Sequence, residues 1–390
     1  MRKTETNQST ATNNSNDSIV SPRSIGTSSE SRLKSIETRR RRPITLVINR
    51  GLETVETRRG WLKKLARGAA AIAFAQVPGF SFDPNAKASS HIAEAARDDV
   101  ENQAEADETA AIEKLGNTAG LGRFRTTRSD HFLAIGDAAE AFRTDALAIC
   151  ELILLDYLDH FRAKGFEIHE PQKRLTVVAL AGAKSFEAFS GEDPQGVIGG
   201  FYDRDTNRLI FYDFRRMNGP VAAARPEKAN TLALVHETTH QLTFNTGLLA
   251  RTRDVPVTIA EGLAMYVEQH NPKKRARPGE INRDRLKGLV LARGKRVSWI
   301  PIKKLIADDD LFGTKADDDT VQLAYAESWL LVHRLLTDKT KLEHFRDYLK
   351  EIQSRVDSTR RIADAAKHLG DLDRLDQDVQ AYSKRLLRGG

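Results

Sequence analysis

A single cysteine, Cys150, in 390 residues excludes an intramolecular disulfide. It also excludes any zinc or iron–sulfur site built on several thiolates of one chain. Cys150 lies in Ala148-Ile-Cys-Glu-Leu-Ile-Leu-Leu155, an apolar helical pattern, and is expected to pack as a small buried hydrophobe. No apolar run is long enough to cross a bilayer comfortably. No period recurs along the chain, which excludes solenoids and propellers. The clusters Asp308-Asp-Asp310 and Asp317-Asp-Asp319 lack the spaced oxygens and the glycine of a calcium loop. They read as loop or helix-cap acids. A basic stripe interleaved with aromatics is missing too, although the chain carries a net charge of +7. Residues 1–75 hold 15 Lys/Arg against 6 Asp/Glu, a balance of +9, so the total of +7 leaves −2 for residues 76–390. A body that is near neutral argues against a nucleic-acid partner.

The basic excess belongs to a leader. Residues 1–56 are basic, and up to residue 42 they are rich in Ser, Thr, Asn and Arg with few apolar side chains, a composition that stays disordered. Residues 57–75 run Thr57-Arg58-Arg59-Gly60-Trp61-Leu62-Lys63, then a short Ala/Gly-rich apolar stretch ending Ala73-Phe-Ala75. Paired arginines ahead of a mildly apolar segment and a small-x-small site resemble a twin-arginine export signal. Export to the periplasm or cell envelope is therefore expected, with membrane contact only through an uncleaved leader. The alternative is an amphipathic surface helix with basic ends, which would leave the protein in the cytoplasm. Residues 76–122 are Ala-, Asp- and Glu-rich and read as a linker with one exposed helix over 91–115.

From residue 123 the texture is globular, and the expected class is α+β. Thr126–Ile135 suits a first strand, Ala138–Lys164 a long helix, Arg174–Leu180 a buried strand and Ala183–Ser190 a short helix. Gly199–Asp213 reads as a hairpin of two aromatic-rich strands around a polar turn. Residues 123–275 are expected to hold a small mixed twisted sheet packed on helices. Residues 276–390 read as a helical subdomain, with segments at 283–293, 302–306, 320–336, 342–355, 359–368 and 372–387.

The chemistry concentrates in Thr231-Leu-Ala-Leu-Val-His236-Glu237-Thr-Thr-His240. On a helix, His236 and His240 lie one turn apart on one face and can bind a single zinc ion, with Glu237 placed as general base. The pentapeptide H-E-x-x-H arises by chance in roughly one chain in a hundred of this size, so a third ligand is needed. Glu261 lies 21 residues beyond His240, in Pro256-Val-Thr-Ile-Ala-Glu261-Gly262. That distance allows a second helix to run back beside the first with Glu261 in its opening turn. Asp213 and Glu268 are both candidates to hold a zinc histidine from behind, and the sequence does not choose between them.

Together these motifs resemble the gluzincin group of zinc metallopeptidases, whose second motif carries a glutamate ligand. They most resemble uncharacterised gluzincin-like domains common in planctomycete bacteria, in which a Gly-Phe-Tyr hairpin precedes the zinc helix and a Tyr-x-x-Ser-Trp helix follows. Here those features are Gly200-Phe-Tyr202 and Tyr325-Ala-Glu-Ser328-Trp329, and the similarity covers roughly residues 124–355. Thr258 departs from the pattern, standing where such proteins often carry an aromatic. The resemblance implies a thermolysin-like, zincin-type core, one Zn²⁺ held by His236, His240 and Glu261, and peptide hydrolysis with Glu237 as base. It implies that Tyr325 donates to the oxyanion, although a packing pair with Trp329 would also account for it. The strand 209–213 would be the sheet edge that lines the cleft and takes an extended peptide or protein substrate. The alternative is a non-catalytic, zinc-stabilised domain that binds peptides or envelope polymers.

Overall fold

The computed structural model describes residues 44–45, 87–194, 199–213, 226–269, 278–313 and 315–388. The export-type segment expected over 57–75 lies outside these residues, as does all of the 1–56 leader except Ile44–Thr45.

The chain is α+β, built on a small open mixed sheet. Strand β1 (Ile44–Thr45) is two residues that pair antiparallel with β5 (Gly200–Asp203). Five further strands make the body of the sheet. Strand β2 (Arg125–Arg128) pairs antiparallel with β3 (Phe132–Gly136). Next, β3 runs parallel to β4 (Leu175–Leu180), and β4 parallel to β6 (Arg208–Tyr212). The last of these carries β5 antiparallel on its far side.

Both faces of this sheet are buried, as the dense apolar content of β3 and β4 requires. One face presents Phe132, Ala134, Val177, Leu209 and Phe211 to helices α2 (Glu140–Ala163) and α4 (Pro226–Asn245). The other presents Leu133, Ile135, Val178, Ile210 and Tyr212 to Ile112 of α1 (Lys87–Thr118) and Phe186 of α3 (Ala183–Ser190). The period-2 alternation decides which side chain faces which layer. Helix α1 is therefore a layer of the fold rather than an exposed helix of a linker. Ile112 is fully buried, and Glu105 holds Arg128 at 2.9 Å and Arg174 at 2.8 Å. Composition hid this role, because one large apolar side chain and a few acids anchor the helix.

Two other readings are corrected. Thr126–Ile135 is not one strand: the chain turns at Ser129, whose N–H donates to the Phe132 carbonyl at 3.0 Å, and returns as β3. The strand expected at the cleft edge, 209–213, is interior. It pairs in parallel with β4 on one side and antiparallel with β5 on the other, and β5 in turn pairs with β1.

Helices α5 (Val257–Val267), α6 (Arg283–Gly294), α7 (Ile302–Ala307), α8 (Asp318–Thr337), α9 (Lys339–Ser354), α10 (Arg361–Leu369) and α11 (Leu372–Arg388) follow. They share one continuous apolar core with α2, α4 and the near face of the sheet. No helix among the described residues is long and apolar enough to cross a membrane.

Candidate metal centre

Helix α4 lies between the sheet and α5, so its middle turn has no solvent side. His236, Glu237, Thr238, Thr239, His240 and Gln241 are all 0% exposed. Two adjacent threonines are weak helix formers, and here one hydroxyl bonds back within the helix while the other meets α2. Thr239 Oγ1 donates to the Val235 carbonyl at 2.7 Å, and Thr238 Oγ1 lies 3.3 Å from Cys150 Sγ. Cys150 is fully buried as expected, and burial pushes its thiol up to about 12.

Helix α5 runs back beside α4. It begins at Val257, so Glu261 is its fifth residue, one turn further in than the sequence suggested, and no acid occupies the opening turn. A favourable helix-dipole position therefore does not explain Glu261. Gly262 explains the depth. A Cβ there would stand 2.4 Å from Val332 Cγ2 and 2.6 Å from the Ser328 carbonyl oxygen, so only glycine lets α8 approach this closely. Thr258 Oγ1, one turn earlier, meets Ser328 Oγ at 2.8 Å, and at this position the contact takes the place of an aromatic. Gly262→Ala pits two effects against each other. Helix propensity alone favours alanine by about 1 kcal/mol. Forcing a methyl into a full interface costs about 1–3 kcal/mol or more. The contact distances decide for the second, so thermal denaturation should show a net loss of stability. A gain in Tm would refute the close-packing account.

The result is a cluster of ligand-type atoms. His236, His240 and Glu261 each offer one such atom, all within 4.8 Å of one another, and the group could hold a metal ion. The Nε2 atoms of His236 and His240 face each other at 3.1 Å, and Glu261 Oε2 lies 3.2 Å and 3.6 Å from them. Behind the ring of His236, Nδ1 meets Glu268 Oε1 at 2.7 Å. This settles which carboxylate backs the histidine. Asp213 is buried at the end of β6, where its N–H donates to the Leu180 carbonyl.

Burial opposes a charge on His236, but the hydrogen bonds to Glu261 and Glu268 overcome it and lift the ring to about 10. Burial lowers His240. Burial raises Glu261, but the charge of His240 and the hydrogen bond of His236 outweigh this and set the carboxyl below its usual range. Burial raises Glu237 to about 8, with His236 pulling the other way. Glu237 Oε2 accepts the Tyr202 N–H of β5 at 2.8 Å. Among the described residues, three buried atoms of these four side chains have no hydrogen-bond partner: Glu237 Oε1, Glu261 Oε1 and His240 Nδ1. Two imidazole nitrogens and a carboxylate converging on one point, with spare oxygens beside them, suit a cation.

The structure thus brings His236, Glu237, His240 and Glu261 together. Tyr325 lies in α8. Its ring is fully buried, meets Phe312 edge-on at 5.4 Å, and lies 5.9 Å from Arg285 Cζ. Trp329, its expected packing partner, lies against His333 at 5.2 Å. The sequence reading missed Arg285 and Asn282, which hold Glu268. One signal was available: Asn282 stands just before a helical pattern, where an N-cap is favoured.

A family model described as "Protein of unknown function (DUF1570)" matches residues 230–357, a stretch that includes His236, His240, Glu261 and Tyr325. No curated protein matches the chain.

Proposed function

We propose that this chain is a zinc-dependent peptidase of gluzincin type, with a thermolysin-like core, acting outside the cytoplasm after export by its leader. The observation that carries the reading is Glu237. Its Oε1 is buried and partnerless beside a three-ligand cluster, while Oε2 is fixed by a backbone N–H. His236, His240 and Glu261 form the His₂Glu set typical of a catalytic zinc with one open position. Zinc held there would supply Lewis acidity, polarising a carbonyl and acidifying a water. A nearby dication also favours the ionised form of Glu237. Glu237 Oε1 would then take a proton from the attacking water and return it to the leaving amine. Tyr325 is the candidate donor to the oxyanion. Strand β5 brings its Tyr202 N–H to Glu237, and an extended peptide would align along it by displacing the two-residue β1, which pairs with Phe201 and Tyr202.

Complete burial of His236, His240 and Glu261 supports a second reading, a zinc-stabilised domain that binds peptides or envelope polymers without cleaving them. Metal analysis of the purified protein, run with a screen against a broad peptide library, separates the two. About one zinc per chain, with hydrolysis abolished by a chelator and restored by zinc, is the result expected of the peptidase. One zinc per chain with no cleavage would favour the binding domain. No bound metal would end both.

A further inference from the structure

Glu268 caps the C-terminal end of α5, and donors surround its carboxylate. Oε1 meets His236 Nδ1 at 2.7 Å and Arg285 Nη2 at 2.5 Å. Oε2 accepts from Asn282 Nδ2 at 2.6 Å and Arg285 Nε at 3.2 Å. The orientation of the Asn282 amide is settled by its other end. Its Oδ1 accepts the Arg285 N–H at 3.2 Å as the N-cap of α6, so the group facing Glu268 is NH₂. Guanidinium and amide NH₂ groups only donate. Both Glu268 oxygens are thus committed as acceptors, and His236 Nδ1 can only donate to Oε1. The ring's remaining nitrogen, Nε2, is the one that faces Glu261 and His240.

We infer that Arg285, with Asn282, is a positioning residue of the metal centre. By fixing Glu268 as an acceptor, it fixes the proton of His236 at Nδ1 and the metal-ligating lone pair at Nε2. Stability gives no reason for the arrangement. A buried Arg–Glu pair replaced by apolar groups of similar volume is often neutral or stabilising, and here Arg285 has only 9% of its side chain exposed. The pair is explained by what Glu268 does to His236. The N-cap and first turn of α6 supply both donors, so one short element carries the whole clamp.

This inference rests on the metal reading of the site, not on peptide hydrolysis. It is tested with the full chain, stripped by a chelator and titrated with zinc against a chromophoric competitor. Long-range ¹H–¹⁵N spectra of the zinc-loaded protein report which ring nitrogen of His236 carries the proton. Wild type should show Nδ1–H. Arg285→Met should weaken zinc binding about 10–100-fold, the usual effect of removing a partner of a metal-ligating histidine. Arg285→Lys keeps the charge but not the fork, and should fall between. A proton on Nε2 in wild type, or Arg285→Met binding zinc within threefold of wild type, overturns the inference. If Arg285→Met does not fold, Arg285→Lys and the wild-type spectrum decide. A protein that passes these tests yet cleaves no peptide removes the peptidase reading and leaves this one standing.

Discussion

Glu237→Gln should keep about one zinc per chain and lose peptide hydrolysis by roughly 10²–10⁴-fold, the range a positioned general base contributes. That loss corresponds to about 3–5 kcal/mol of transition-state stabilisation. The substitution is close to isosteric. The amide oxygen can still accept the Tyr202 N–H, and His236, His240 and Glu261 are untouched, so structure and metal should survive. His240→Ala, by contrast, should lose metal and activity together. Stability gives an independent check in chelator-treated protein. Burial raises Glu237 to about 8 in the fold, above its ordinary 4.5. The folded state therefore holds that proton more tightly than the unfolded one. Its contribution is complete below about pH 4.5 and is lost as pH rises toward 8. Glutamine removes this dependence, so Glu237→Gln should gain on wild type across that window. A variant that retains more than about a tenth of wild-type activity would place the base elsewhere, and one that drops its metal would make Glu237 structural.

The sequence carried the parts of the site that are local. His236 and His240 are four residues apart, and helical geometry alone puts them on one face. Glu261 needed a guess about two antiparallel helices, and α4 and α5 do run that way, although Glu261 lies a turn deeper than expected. What distance along the chain conceals is which remote groups meet. Glu268 and Asp213 looked equivalent as partners for His236. Only the packing of α5 and α6 brings Glu268, with Asn282 and Arg285 behind it, onto Nδ1. The hairpin 199–213 was legible, but that its second arm lies inside the sheet was not, because β4 pairs with β6 between residues 32 positions apart. Gly262 shows the same limit. Beside Glu261 it read as part of a motif, and its cause is the approach of Ser328 and Val332 from another helix.

Arg361→Met is expected to destabilise the protein by about 3–5 kcal/mol, the usual result of removing one partner from a buried charge network. The Arg361 guanidinium bridges two carboxylates. It meets Asp254 at 2.6 and 2.8 Å and Asp309 at 2.9 and 2.9 Å, with only 6% of its side chain exposed. Asp254 also holds Arg355 at 3.0 Å, and Asp309 Oδ1 accepts the N–H of Val257, the first residue of α5. That helix has no side-chain cap of its own, since Pro256 stands at its N-cap. Arg361 therefore ties α10 to the start of the helix that carries Glu261. Without it, Asp309 loses its guanidinium partner and Asp254 keeps only Arg355. Replacing Asp254 and Asp309 by Asn in the Arg361→Met background should recover part of the loss, because much of the cost is carboxylate charge that has lost its Arg361 partner. Denaturant melts of the wild type, the single variant and the triple variant measure this. A single-variant loss under about 1 kcal/mol would show that the network does not anchor α5, and zinc affinity should then be unchanged as well.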